Sequence, residues 1–283
     1  MNEVSINDIL HSNKFLNKKV SISGWVKTFR ANRFIALNDG SGLGNLQCVI
    51  DFENTDDEIL KAISTGAAIN VSGSLVSSQG SQQNIELKVD RCEILGDSNP
   101  ETYPIQPKKH SFEFLRENAH LRTRTNTFGA VMRIRSNLSF AIHQYFKNNG
   151  FYYVHTPIIT ASDAEGAGEQ FRVSTLDIKN TPIDDNGKID FKKDFFGKET
   201  NLTVSGQLEA EAYAMSMGKV YTFGPTFRAE NSNTSRHLSE FWMIEPEVAF
   251  MDINGNMKLA EDFLKYILTL SLIHISEPTR HES

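Results

Sequence analysis

The chain of 283 residues carries 29 Lys and Arg against 35 Asp and Glu, which gives a formal net charge of −6. Its hydrophobic fraction of 39% and charged fraction of 23% are typical of a soluble globular protein with one large domain or two ordinary ones. The acidic balance excludes a basic footprint for nucleic acid over the whole chain, although local basic patches are compatible with it.

The N-terminus and the cysteines indicate where the protein works. The opening residues, MNEVSINDIL, lack the basic-then-apolar order of a signal peptide, and no apolar run is long enough to span a bilayer. Cys48 and Cys92 lie in strand-like segments without CxxC spacing. We therefore expect reduced core thiols in a cytoplasmic protein, with no zinc site and no membrane partner.

Residues 20–95 consist of short runs with alternating apolar and polar positions. Strands are predicted for VSISGWVKTF, RFIALNDGSG, GNLQCVIDF, AAINVSGSLV and QNIELKVDRCEIL. The segment TDDEILKAIS predicts the one helix among them, because its isoleucines and leucine follow the helical period. Five strands and one helix in about 75 residues favour a small closed barrel of the oligonucleotide-binding (OB) type over a plain β-sandwich.

A proline-rich linker and a second domain follow the barrel. The stretch GDSNPETYPIQPKKHSFEFLREN contains three of the eight prolines and predicts an ordered linker. A long amphipathic helix is predicted over 127–149, with Gly150 as its stop, and FYYVHTPIIT predicts an edge strand because it contains a proline.

Further strands and helices follow without a regular βαβ order. NLTVSG, KVYTFGPTFRAE and LSEFWMIEPEVAF predict strands, and QLEAEAYAMSMG, capped by Ser205, and NMKLAEDFLKYIL predict helices. The polar stretch DIKNTPIDDNGKIDFKKD predicts a surface insertion. This order predicts an α+β domain on a mostly antiparallel sheet.

The predicted hairpin between Phe223 and Val248 is dense in charged side chains. Arg228 and Glu230 lie two residues apart on one strand, Arg236 and His237 lie in the loop, and the return strand carries Phe241 and Glu245. A guanidinium beside carboxylates can bind a phosphate, and an aromatic face can bind a base. The alternative is an exposed hairpin whose charges pair with one another. Neither GxxxxGK[ST] nor GxGxxG occurs in the chain.

These segments resemble the class II aminoacyl-tRNA synthetases. GPTFRAENSNTSRHLSEFWMIEPEVAF is similar to the family's second motif, and FYYVHTPIITASDAEGAGEQF and VSGQLEAEAYA are similar to the asparaginyl type within the aspartyl, asparaginyl and lysyl subgroup. The resemblance runs from Val20 to about Leu270. It implies an OB-fold anticodon-binding domain over 1–97, a linker over 98–116 and the N-terminal part of a class II catalytic domain over 117–270.

The resemblance implies an ATP-dependent ligase with Mg²⁺ on the phosphates of ATP. L-Asparagine would be activated as its adenylate and then transferred to tRNA(Asn). Arg228 would be the catalytic residue, holding the α-phosphate. The other ATP-binding residues implied are Glu230, Arg236, His237 and Phe241, with Phe241 stacked under adenine. The family resemblance leaves the protein ligands of the metal unassigned, since they lie beyond this chain.

Asparagine recognition is implied for two segments, ASDAEGAGE and SGQLEAE. Glu165 and Gln207 would bind the end of the substrate that carries the ammonium group. Glu211 would accept from the carboxamide and repel the side chain of aspartate, with Glu209 as a rival for this role. Aspartyl relatives carry a lysine where this chain has Ala210, and an alanine cannot pair with an aspartate carboxylate. The bland alternatives are a turn carboxylate at 165 and an exposed helix residue at 211.

The barrel and the first motif imply two further surfaces. Phe34 would stack on an anticodon base and Gln47 would hydrogen-bond one, while Arg30 belongs to a local basic patch with Lys27 and Arg33. The alternative for these residues is a solvated strand edge, and we expect Trp25 in the core. Pro157 would lie at the interface of a homodimer.

The resemblance stops near the C-terminus. The family's third motif, GxGxxR, is absent, and SLIHISEPTRHES no longer resembles the family, so we expect 271–283 to be a non-native tail. Three interpretations therefore stay open: an asparagine–tRNA ligase, an aspartate-type relative, and a tRNA-binding fragment that performs no chemistry.

Overall fold

The alternating pattern of the first hundred residues produces a closed barrel. The structure is a computed structural model that describes residues 4–78, 80, 83–164, 166, 169–231, 234 and 237–276. The barrel strands are β1 Lys19–Arg30, β2 Phe34–Asn38, β3 Leu46–Val49, β4 Ala68–Ser77 and β5 Ile85–Gly96. They close in the order β1-β2-β3-β5-β4, with β3 and β5 parallel and the other pairs antiparallel. The predicted OB-type barrel is confirmed.

Alternate residues along much of the barrel strands point into one apolar core. In β4, Ile69, Val71 and Leu75 are fully buried, and the position between the last two is Gly73. The register with β5 shifts at Gly73, and a Cβ placed there would lie 1.9 Å from the carbonyl oxygen of Lys88. A residue without a side chain is therefore required where these two strands approach.

Two short helices complete the barrel. The predicted helix within 55–64 is present as α2, Asp57–Ala62, with Asp56 as its N-cap. The sequence did not predict α1, Ile6–His11, which Ser5 caps by accepting from the N–H of Asp8 and which buries Ile6 and Ile9 in the barrel core. A signal for α1 was present, since Ser5 is a favourable N-cap residue and Ile6, Ile9 and Leu10 have the i, i+3, i+4 spacing of a helix.

Both cysteines are buried free thiols of the barrel core, as predicted. Burial raises the pKa of both thiols, because an apolar environment disfavours the thiolate; for Cys92 the pKa rises to about 11.

Alkylation is therefore expected to depend on unfolding. At about pH 8 iodoacetamide should leave Cys48 and Cys92 unmodified in the native chain, because only the thiolate reacts and both folded pKa values lie above that pH. Both should react fully in guanidinium, as measured by intact mass. Rapid alkylation without denaturant would contradict the burial of these thiols.

The helix α3, Phe112–Glu117, includes the last residues of the predicted linker. Ser111 caps this helix by accepting from the N–H of Phe114, and Leu115 is its buried residue. The described residues up to Asn137 form one compact unit, and Leu138–Leu272 form a second.

The second unit contains short strands and long helices. Its elements, with the long helix that precedes it, are α4 Asn126–Asn148, β6 Tyr152–Tyr153, β7 Ile159–Thr160, β8 Arg172–Val173, β9 Thr200–Leu202, α5 Gln207–Met217, β10 Lys219–Phe227, β11 Glu240–Val248 and α6 Ile253–Ser276. One sheet has the order β11-β10-β6 and the other β7-β9-β8, and only β6 and β10 pair in parallel. The predicted α+β domain on a mostly antiparallel sheet is confirmed.

Two local predictions need correction. The strand predicted over 151–160 is two short strands in different sheets, since Pro157 interrupts the backbone donors between them. The N-cap of α5 is Gly206 and not Ser205, although the hydroxyl of Ser205 does accept from the N–H of Gln207 at 3.1 Å. Gly150 follows α4 with a φ of 78°, as predicted for a helix stop.

An aromatic core joins α4 to β10. Phe146 stacks on Tyr221 with ring centroids 4.4 Å apart, and Nδ1 of His143 lies 2.7 Å from the Tyr221 hydroxyl. Burial, and then the neighbouring Tyr153, raise the pKa of Tyr221 to about 12. No helix in the described part of the chain is long and apolar enough to cross a membrane.

Candidate functional site

The charged hairpin places Arg228 against an aromatic ring. β10 and β11 pair antiparallel with Thr226 opposite Phe241, and β10 ends at Phe227, so Arg228 lies just beyond the strand. Its backbone N–H donates to the carbonyl of Ser239 at 3.0 Å, and its guanidinium carbon lies 5.4 Å from the Phe241 ring centroid. The two residues predicted to hold the α-phosphate and the adenine ring are therefore in contact.

The guanidinium of Arg228 has a donor that the described residues do not satisfy. Its Nε is buried and has no hydrogen-bond partner among them. A buried donor without an acceptor costs about 1–3 kcal/mol, so such groups are rare unless a ligand supplies the acceptor. A phosphate oxygen fits this donor and the positive charge behind it.

The remaining charges of the hairpin are partly paired with each other. Nε2 of His237 lies 3.3 Å from Oε2 of Glu230, and both side chains are about one-third exposed. This pair matches the alternative of a self-paired loop, and it must open or shift if both groups are to contact a nucleotide. Arg236 lies outside the described residues.

A carboxylate on the return strand holds the start of α5. Glu245 accepts from the hydroxyl of Ser205, from the N–H of Gly206 at 3.1 Å and from the hydroxyl of Thr222 at 2.9 Å. The sequence placed Glu245 among the charged residues of the hairpin but gave no sign of this anchoring. Because Glu245 and Phe241 share β11, the carboxylate fixes the N-terminus of α5 relative to the hairpin.

The predicted asparagine-binding residues of α5 lie together. Nε2 of Gln207 donates to Oε1 of Glu211 at 3.0 Å across one helical turn, and Glu211 is exposed. Glu209 is half-buried two positions away, so it lies on a different face of the helix. Ala210 is fully buried against β10 and Val154. Glu165 lies outside the described residues.

The three predicted anticodon-binding residues line one groove of the barrel. Arg30, Phe34 and Gln47 surround a cavity of about 520 Å³. The side chain of Gln47 is oriented by Glu86, whose Oε2 accepts from its Nε2 at 3.0 Å. The prediction that Trp25 belongs to the core is wrong, since Trp25 is 43% exposed.

Pro157, predicted at a homodimer interface, is exposed in the segment between β6 and β7. Within the described ranges, no group of three or more His, Cys, Asp or Glu side chains is arranged to hold a metal ion.

Comparison with known proteins identifies the family. Residues 111–279 match the class II tRNA synthetases of the D, K and N types. The chain belongs to this family. Residues 20–95 of this synthetase chain match the OB-fold nucleic acid binding domain, which covers the barrel strands.

Two curated proteins that this chain resembles are asparagine–tRNA ligases. The chain is 56% identical over 276 residues to the asparagine–tRNA ligase of Cytophaga hutchinsonii and 57% identical over 278 residues to that of Borreliella afzelii. In both cases the alignment covers 96% of this chain and 60% of the relative. The chain thus spans about three-fifths of the length of the curated relatives it matches.

Solved structures agree with the observed fold. Asparaginyl-tRNA synthetase from Pyrococcus horikoshii, complexed with asparaginyl-adenylate, superimposes with a TM-score of 0.81 at 26% identity, covering 100% of this chain and 62% of that one. The synthetase from Entamoeba histolytica has a TM-score of 0.77 at 24% identity, covering 97% and 60% of the two chains. The second comparison supports the fold alone.

Proposed function

We propose that this chain belongs to an asparagine–tRNA ligase, to which it contributes the tRNA-binding barrel and part of the catalytic domain. The observation that carries the proposal is the buried Nε of Arg228, which has no hydrogen-bond partner among the described residues and lies beside Phe241. The free donor fits an anionic group of a ligand, and the aromatic ring fits a flat ring of the same ligand. The identity of 56% to a named asparagine–tRNA ligase supports the choice of amino acid.

In the first step the carboxylate oxygen of asparagine attacks the α-phosphorus of ATP. A new O–P bond forms and the bond to pyrophosphate breaks, so no nucleophile from the protein is needed. Arg228 neutralises the charge that builds on the α-phosphate, and Phe241 holds the adenine ring beside it. Glu230, Arg236 and His237 bind other parts of ATP, which enters as its Mg²⁺ complex.

In the second step a hydroxyl of the 3′-terminal ribose of tRNA(Asn) attacks the acyl carbon of the adenylate, and AMP leaves. The barrel holds the other end of the tRNA: Phe34 stacks on an unpaired base of the anticodon, and Gln47 and Arg30 contact a base edge and the backbone. The orientation of Gln47 by Glu86 supports this role, because a fixed amide can discriminate between base edges.

The selection of asparagine rests on α5. Gln207 and Glu165 bind the ammonium end of the substrate, and the carboxylate of Glu211 accepts from the carboxamide nitrogen. The carboxylate of aspartate would be repelled by Glu211, and Ala210 offers it no cation. We further propose a homodimer with Pro157 at its interface and a cytoplasmic location.

ATP–pyrophosphate exchange tests the proposal with asparagine and aspartate as alternative substrates. Glu211→Ala is expected to raise the KM for asparagine about 10- to 100-fold, because a carboxamide loses its charged acceptor, while the KM for ATP stays within about twofold. Glu261→Ala, which removes an exposed glutamate of α6, is the matched control. A larger loss in Glu209→Ala would transfer the role to that residue.

The same assay separates the other interpretations. Exchange that depends on aspartate and not on asparagine would show an aspartate-type enzyme. The closed barrel favours one second candidate, a tRNA-binding role without chemistry. That candidate predicts binding of labelled tRNA with no exchange for either amino acid.

A further inference from the structure

A second cavity of the first unit is lined by cations without anions. Its volume is about 840 Å³, and it lies between β1, the linker residues after Tyr103 and the start of α4. Its basic lining residues are Lys27, Lys108, Lys109, Arg124 and Arg133, with His110, and no Asp or Glu is among the lining residues.

The positive charge in this cavity carries a free-energy cost. Burial lowers the pKa of Lys27, and the charges of Arg124 and Arg133 lower it further. This cost is present in full below the folded-state pKa of Lys27 and falls as the pH rises through that pKa. In the described part of the chain no ion pair joins any of the three cations to a carboxylate.

The cations are held in place by neutral partners. Nζ of Lys27 donates to the carbonyl of Arg124 at 2.5 Å, which uses one of its three donors. The guanidinium of Arg124 donates to the hydroxyl of Tyr103 at 3.2 Å and lies 5.9 Å from the Trp25 ring centroid. Arg133 donates to the carbonyls of Gly40 and Gly42. The charges therefore stay uncompensated, but their positions are fixed.

The size and lining of the cavity indicate the kind of ligand. The volume is far larger than a single inorganic ion requires, and the half-exposed ring of Trp25 borders the same space as Lys27 and Arg124. Fixed cations beside an exposed aromatic ring suit a nucleotide phosphate with its sugar or base close by. The negative charge of a phosphate would also offset the free-energy cost of desolvating the Lys27 ammonium.

We propose that this cavity binds a phosphodiester of the RNA partner, with Lys27 and Arg124 as its ligands. The cavity differs from the anticodon groove in its lining by residues after 100, although Lys27, Thr28 and Asn45 border both cavities. The identity of the RNA as tRNA(Asn) rests on the proposed function, whereas the phosphate site rests on the geometry alone.

Anisotropy titrations of labelled tRNA(Asn) at several salt concentrations test the site. Arg124→Gln and Lys27→Gln are each expected to weaken binding about tenfold and to reduce the slope of log K against log salt by about 1. Arg91→Gln and Lys61→Gln remove exposed cations of the same unit and should change neither quantity. An unchanged slope in Arg124→Gln would overturn the proposal.

Two further arms make the result specific. The effects of Arg124→Gln and Phe34→Ala should add, since independent sites contribute independently; strong non-additivity would assign Arg124 to the anticodon groove and overturn a separate site. If inorganic phosphate or AMP stabilises the chain through Arg124 while the affinity for tRNA is unaffected by Arg124→Gln, the ligand is a small phosphate compound and the RNA assignment is wrong.

Controls separate this outcome from misfolding and from the ligase proposal. Thermal unfolding of Lys27→Gln should occur at the wild-type temperature or above it, because the variant removes a desolvated charge. Asparagine-dependent pyrophosphate exchange requires no tRNA, so Arg124→Gln should leave it unchanged. If the wild-type chain shows no pyrophosphate exchange, the result counts against the ligase proposal. The phosphate site is then tested independently by the slope of log K against log salt in the tRNA titrations.

Discussion

Gly73→Ala is expected to destabilise the barrel by about 3 kcal/mol or more, the upper range for overpacking of a well-packed interior. The added Cβ would lie 1.9 Å from the carbonyl oxygen of Lys88, and this contact is with backbone and not with a side chain that could rotate away. Relief requires β4 and β5 to separate, which breaks ladder hydrogen bonds on both sides of the existing register shift.

The measurement is equilibrium unfolding in guanidinium, followed through Trp25 in a Trp242→Phe background so that the signal reports on the barrel. Gly96→Ala is the matched control, because its Cβ would meet the Ala68 side chain at an ordinary 3.8 Å. That variant should stay within about 0.5 kcal/mol of the parent. Equal stability of the two alanine variants would show that the strands are not as close at Gly73 as described.

Glu245→Ala is expected to destabilise the second unit by about 2–4 kcal/mol. The substitution leaves three donors without their acceptor: the hydroxyls of Ser205 and Thr222 and the N–H of Gly206, all three in buried residues. The cost is less than three full orphan penalties because water can reach part of the site that the side chain vacates. The start of α5 should also become mobile relative to β11.

Unfolding followed through Trp242 in a Trp25→Phe background measures this loss. Glu240→Ala, an exposed glutamate at the start of β11, is the control and should cost less than about 0.5 kcal/mol. Glu245→Gln should fall between the two, since its amide keeps one acceptor but adds two donors. A Glu245→Ala variant as stable as the control would show that the network does not hold α5.

Much of the fold is predictable from local pattern. The barrel strands follow alternation of apolar and polar residues between Gly- and Ser-rich turns, and α4 follows a long helical period that ends at Gly150. Two of the errors are local: α1 was missed although Ser5, Ile6, Ile9 and Leu10 have the pattern of a capped helix, and Pro157 divides one apparent strand between two sheets. A strand boundary also differs at the hairpin loop, since Arg228 lies beyond the end of β10 and not within it.

The candidate site is harder to predict from local sequence pattern, because its main contacts join residues that are distant in the chain. Spacing alone suggested that Arg228 and Glu230 project together, whereas the contact between Arg228 and Phe241 arises only from the pairing of β10 with β11. Nothing local indicates that Glu245 meets Ser205, which is 40 residues away in sequence. The exposure of Trp25 was missed for the same reason, since it borders a cavity formed with residues after 100.

The hydrogen bond between Gln207 and Glu211 has a consequence for selectivity. A carboxylate has two oxygens and can accept several hydrogen bonds, so Oε1 can keep the bond from Gln207 while the second oxygen would accept from an arriving carboxamide. The bond from Gln207 thereby orients the acceptor before a substrate binds, which lowers the entropy that ordering it would otherwise cost. Aspartate would bring a second negative charge and no donor to the same oriented carboxylate, so the contact would also act against it.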